Sequence, residues 1–125
     1  MSTSIEVNII NHQFAEFLGY SLITPAMRKH PENWKISFYE KPLTHEVLGT
    51  ENNLKFHKSM RDLEKMRKKI QSLGFIVETN GEMCRIKYDK HISWTDAGDL
   101  VNSMYLEFYG FLKWYNQNKI DNGTN

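Results

Sequence analysis

Lys58, Arg61, Lys65, Lys68 and Lys69 recur at intervals that put all five on one face of a helix, and Arg85 and Lys87 follow on an adjoining hairpin. Cations arrayed in this way can meet phosphates or an acidic protein surface. The plainer alternative is a solvated helix face, with Glu64 and Lys68 paired one turn apart. The positive charge is regional. Residues 54–90 carry ten Lys/Arg against five Asp/Glu, a net +5, whereas residues 1–53 and 91–125 are each at −2. With +1 overall, the protein as a whole has no general field for polyanions.

Other residue types with chemical potential do not assemble into a motif. His12, His30, His45, His57 and His91 are scattered, with no pair at helical i, i+3 or i, i+4 spacing. Thr44-His45-Glu46 opens like a zinc-protease helix but lacks the second histidine four positions on. Cys84 is the single cysteine, which excludes an internal disulfide and favours a reducing compartment. Its place in the hairpin assigns it to the core, where a thiol behaves as a small hydrophobe. Asp96 and Asp99 fall in the first turn of a helix, where carboxylates offset the helix dipole. No Walker loop, GxGxxG or GxSxG is present. These observations point to no enzyme, no metal and no cofactor.

The elements that must position these residues follow from pattern. A helix is expected over residues 11–18, with Ile10, Phe14, Phe17 and Leu18 on one face and Gly19 as its left-handed stop. Residues 21–42 hold Pro25, Pro31 and Pro42; within them Trp34-Lys35-Ile36-Ser37-Phe38 alternates as a strand, with Trp34, Ile36 and Phe38 facing the core. Residues 43–53 read as a loop. Ser59 and Asp62 resemble a capping box that opens the central helix. Met60, Leu63, Met66, Ile70 and Leu73 form its apolar face, Arg67 lies within that arc in need of a partner, and Gly74 ends it.

The strand over residues 75–79 then meets Asn80-Gly81, a type I′ hairpin signal. That turn sets Thr79 opposite Glu82, Val77 opposite Cys84 and Phe75 opposite Ile86, so Phe75, Val77, Cys84, Ile86 and Tyr88 share the core face. A last helix, capped by Ser93 or Thr95, places Ala97, Leu100, Val101, Met104, Tyr105, Phe108, Phe111, Leu112 and Tyr115 on one arc. Leu106, Tyr109 and Trp114 fall outside that arc; they either pack against the N-terminal helix or the proline-rich segment, or form an apolar patch for a partner or for self-association. The expected fold is α+β, a small antiparallel sheet of about three strands packed against helices in the order α-β-α-β-β-α. A single domain over 1–125 is expected, with the N-terminal few residues and 117–125 fraying. No apolar run is long enough to span a membrane, and nothing marks secretion, so a soluble cytoplasmic protein is the expectation.

Three stretches carry a likeness. FHKSMRDLEKMRKKIQSLGF (residues 56–75), FYGFLKWYNQN (108–118) and QFAEFLGY (13–20) cover about a third of the chain. They resemble a family of small uncharacterised proteins of Bacteroidota phages, prophages and mobile elements. That family has an aromatic-His-x-Ser helix and a C-terminal helix ending Lys-Trp-Tyr-Asn. The matching residues are Phe56, His57, Ser59, Leu63, Phe111, Lys113, Trp114, Tyr115 and Asn116, with Phe14, Glu16, Phe17 and Gly19. Met60 stands where the family has tryptophan, and Arg61 and Asp62 replace its acidic and aromatic neighbours. The resemblance implies a context, a phage or mobile-element protein in the cytoplasm of a bacterial host, and no activity of its own. By analogy with small phage proteins that lack catalytic motifs, the expectation is binding to a host protein or ribonucleoprotein, including as an anti-defence inhibitor of a CRISPR effector. A nucleic-acid-binding regulator using the same basic helix face is the competing expectation.

Overall fold

The computed structural model describes residues 4–24 and 36–123. It is an α+β fold of three helices and two three-stranded antiparallel sheets, divided into two compact units, Met1–Lys55 and Phe56–Asn125.

In the first unit, α1 (Ser4–Phe17) begins seven residues before the expected start. The β-branched run Ile5, Val7, Ile9, Ile10 lowers helix propensity, yet Ile10, Asn11, Phe14 and Ala15 form a buried stripe that overrides it. The stop is as read. Gly19 adopts φ 94°, its N–H donates to Glu16 O (3.0 Å), and the Tyr20 N–H donates to Ala15 O (3.0 Å), both bonds of a Schellman cap. Next come β1 (Ser21–Ile23), β2 (Phe38–Glu40) and β3 (Val47–Thr50), in sheet order β1-β2-β3.

The strand expected at 34–38 is displaced. Trp34 and Lys35 lie outside the described residues, Ile36 is exposed, and β2 starts at Phe38 with Tyr39 as its buried residue. The alternation therefore has the opposite phase to the expectation, and the strand joins its own sheet instead of the 75–88 hairpin. The stretch 43–53, expected as a loop, supplies β3. A Cβ at Gly49 would come 3.3 Å from the buried Leu54 side chain, which would have to shift slightly to admit it. Thr44-His45-Glu46 proves to be part of the β2–β3 turn, with His45 at φ 61° and its Nδ1 2.6 Å from Glu40 Oε1.

In the second unit, α2 (Met60–Ser72) starts at the Ser59 cap, whose Oγ accepts from the Asp62 N–H (3.2 Å). Leu63, Met66 and Ile70 are its buried face. Gly74 (φ 99°) donates to Gln71 O and Phe75 N–H to Ile70 O, a second Schellman cap. A Cβ at Gly74 would touch nothing within 4 Å, so only the backbone resists a side chain there. Gly74→Ala is expected to cost about 1–2 kcal/mol, read as a lower thermal midpoint.

The hairpin pairs β4 (Ile76–Asn80) with β5 (Met83–Lys87), but in a register two residues from that expected: Val77 faces Ile86 and Thr79 faces Cys84. The two-residue loop is Gly81-Glu82. Gly81 alone takes positive φ (60°), the demand of a type II′ turn, which wants glycine at its first central position. A shift of two preserves every side chain's face. Val77, Cys84 and Ile86 are buried as read, with Phe75 and Tyr88 half-buried. The third strand is β6 (Thr95–Asp96), paired to β5 where a helix cap had been expected. The last helix, α3 (Leu100–Gly123), is capped instead by Asp99, whose Oδ1 accepts from the Asn102 N–H at 2.8 Å. Two buried-face contacts complete the unit: α2 packs on β4 and α3 on β5. α3 continues to Gly123.

Candidate anion-binding interface

Because Leu63, Met66 and Ile70 are drawn inward, Arg61, Lys65, Lys68 and Lys69 are carried to the outer face of α2, with Lys58 just ahead of the cap. At 100° per residue the five occupy an arc of roughly 100°. From Lys58 to Lys69 the row runs roughly 16 Å at 1.5 Å per residue. Lys58, Arg61, Lys68 and Lys69 are exposed and Lys65 is half-buried. Among the described residues none of the five makes an ion pair or a side-chain hydrogen bond.

The neighbours that could have neutralised them are engaged elsewhere. Glu64 turns to Arg67 (3.4 Å), not to Lys68, and Arg67 Nε also donates to Gln71 Oε1 at 2.9 Å. Those two contacts answer how Arg67 is tolerated inside the apolar arc. Burial, and then the Lys58 cation, hold the His57 imidazole below its usual range, so His57 adds no charge to the row.

Arg85 and Lys87 do not extend this surface. Their β5 positions alternate with the buried Cys84 and Ile86, which places them on the sheet face turned away from the helices. Arg85 Nε and Nη2 donate to Glu78 Oε1 at 3.0 and 2.8 Å, and its Nη1 donates to Ile92 O at 3.2 Å. The guanidinium also lies over the Trp94 ring, 4.3 Å from its centroid. Lys87 Nζ is 3.5 Å from the same Glu78 oxygen. The Arg85 hydrogen bonds, before any longer-range charge, hold the Glu78 carboxyl below its usual range. Arg85 is thus committed to its own strand pair.

The apolar trio is divided as well. Trp114 packs on Tyr88 (4.8 Å between ring centroids) and edge-on to Phe75 (5.8 Å), closing the open end of the hairpin. Tyr109 lies beneath Lys113 Nζ at 4.4 Å and is half-buried. Leu106 alone of the three is largely exposed, at 46%.

One polar centre was not anticipated. Glu107, 3% exposed, takes three donors: the Ile86 N–H (2.7 Å), Thr95 Oγ1 (2.7 Å) and His91 Nε2 (2.8 Å). The His91 ring stacks on Tyr88 at 4.6 Å across a tight turn that holds Asp89 at φ 49°. Cys84 lies nearby, and burial, reinforced by the Glu107 charge, pushes its thiol up to about 12. A thiol so raised is no nucleophile at neutral pH. The centre therefore fastens β5, β6 and the 88–91 turn to α3. In sequence, the available signal was Glu107 only about 20° outside the apolar arc, with Ser103 one turn before it and likewise buried.

Among the described residues no group of three or more His, Cys, Asp or Glu side chains is placed to hold a metal ion, and no helix is long and apolar enough to cross a membrane. Comparison with protein-family models, curated proteins and solved structures finds no match to the chain.

Proposed function

We propose that this is a non-enzymatic binding protein, of phage or mobile-element origin, that engages a host protein or ribonucleoprotein through the basic face of α2. The carrying observation is the row of five cations without internal partners, in a unit where Arg67, Arg85 and Lys87 are all paired. Cations without internal partners break no existing ion pair on binding, and a well-capped helix sets their spacing against a partner's carboxylates or phosphates. The likeness of residues 56–75 and 108–118 to small phage proteins supports the origin and the bacterial cytoplasm as the setting; the anti-defence role rests on analogy with small phage proteins that lack catalytic motifs. Leu106 supplies an exposed apolar position on the same unit for such a contact.

A nucleic-acid-binding regulator is the second reading, favoured by the length of the row, which spans several phosphates of a single strand. Two measurements separate the readings. Lys65→Glu/Lys68→Glu/Lys69→Glu is expected to abolish capture of the host partner that the wild-type protein retains; equal capture by both removes α2 from the binding surface. Fluorescence anisotropy with short single-stranded and duplex oligonucleotides tests the second reading. Three to five phosphate contacts predict a slope of log affinity on log salt of roughly −2.7 to −4.5 on duplex and roughly −2.1 to −3.5 on single strands. No binding at low salt sinks the nucleic-acid reading.

A further inference from the structure

The first unit holds a cavity of about 460 Å³ between α1, β2 and the residues that follow β3. That volume falls within the range of roughly 300–1,000 Å³ usual for small-molecule sites. Ile9 and Leu22 give it apolar walls, and His12, Glu16, Tyr39 and Glu51 bring polar groups to it. Among the described residues no lysine or arginine lines it.

The polar side chains decide what it can accept. His12 Nε2 lies 3.0 Å from Glu16 Oε1, and His12 Nδ1 lies 2.6 Å from the Tyr39 hydroxyl. A carboxylate can only accept, so Nε2 carries the hydrogen, and Nδ1 shares a hydrogen with the Tyr39 hydroxyl. The chain Tyr39–His12–Glu16 thereby fixes three of the polar residues that line the cavity. Glu16 and Glu51 add further acceptors and negative charge. Burial, then the Glu51 and Glu16 carboxylates, push the Tyr39 phenol above its usual range, so this hydroxyl keeps its proton. Asn8, Gln13 and Asn52 add amides that can donate or accept, so it is the two carboxylates between apolar walls that disfavour anions and suit a cation carrying its own donors.

We propose that this cavity binds a small organic ammonium ion, its apolar body on Ile9 and Leu22 and its head among the Tyr39 hydroxyl, Glu16 and Glu51. Nitrogen–proton correlation NMR of the full chain, titrated with phenethylammonium, tests it. Saturating shifts are expected at Ile9, Leu22, Tyr39 and Glu51. Phenethyl alcohol, which keeps the body but loses the charge, should bind roughly tenfold or more weakly, and phenylacetate should not bind. Glu51→Gln and Glu16→Gln, both at exposed positions, should each weaken the ammonium by roughly tenfold while leaving the thermal midpoint unchanged. Tyr39→Phe keeps the ring that fills the core and removes the hydroxyl, and should weaken binding in the same direction. No saturation in the millimolar range, equal affinity for the alcohol, or undiminished binding in both glutamine variants would overturn the proposal.

Discussion

Glu107→Ala is expected to remove about 3–5 kcal/mol of folding stability, the usual cost of breaking a buried charged network from one side. Against a total of about 5–15 kcal/mol for a domain, that is a large share. Two effects compete. Deleting the carboxylate relieves the cost of burying a charge, which by itself would stabilise. It also strands the Ile86 N–H, the Thr95 hydroxyl and His91 Nε2, which sit 2.7, 2.7 and 2.8 Å from it. Replacement by an apolar group is neutral only where every partner becomes apolar too, and a backbone N–H in the middle of β5 cannot. The stranded donors therefore win. Glu107→Gln, which keeps one acceptor oxygen, should cost less, about 1–3 kcal/mol, and Thr95→Val about 1 kcal/mol. Urea midpoints at constant slope measure all three. A loss below about 1 kcal/mol for Glu107→Ala would mean that packing, not this carboxylate, fastens the hairpin to α3.

The contrast between what the sequence disclosed and what it concealed follows the range of the interactions involved. Both Schellman caps, at Gly19 and Gly74, and the Ser59 cap were legible because each is decided within six residues. The α+β class and the core face of the hairpin were legible because period-two and period-3.6 patterns report burial directly. The hairpin register was not. Asn80-Gly81 supports a I′ loop, and Gly81-Glu82 supports a II′ loop; the second places Val77 against Ile86 and brings Cys84 beside Thr79. Both leave the same residues inside, so hydrophobic pattern cannot choose between them. The first unit was concealed for a different reason. β1, β2 and β3 are three or four residues each, too short to show alternation, and they cohere only through pairing with one another.

The candidate interface divides along the same line. The face carrying Lys58, Arg61, Lys65, Lys68 and Lys69 follows from spacing along one helix. The withdrawal of Arg85 and Lys87 from it depends on Glu78 across the strand pair, a non-local contact. Glu107 was concealed most completely, since its partners lie 12 to 21 residues away and no periodicity marks a buried acid.

Stability should also fall with alkali, beginning near pH 9, and Cys84 is the reason. Its thiol rises from 9.0 in an open chain to about 12 in the fold, chiefly through burial and secondly through the Glu107 charge. A group raised on folding stabilises fully below its unfolded value and loses that contribution as pH climbs toward its folded value. The window is therefore about pH 9 to 12, and three pH units at 1.36 kcal/mol each set a ceiling of about 4 kcal/mol. Tyr39, Tyr88 and Tyr105 are also raised, mainly by burial, and act with the same sign, but their open-chain value is 10.0. Between pH 9 and 10 the thiol's share is about 1 kcal/mol, and the three tyrosines, which begin to titrate in the open chain, together add a comparable loss. Urea midpoints of the wild-type protein should therefore drop across that interval, while those of Cys84→Ala, less stable at pH 8 for the cavity it leaves, should drop less steeply. Parallel slopes in the two proteins would place the alkaline loss elsewhere. Glu107→Gln ties this result to the first: without the carboxylate's charge, the Cys84 thiolate forms at lower pH. Its alkylation by iodoacetamide near pH 9 should then exceed the rate that the lower stability of the variant alone accounts for.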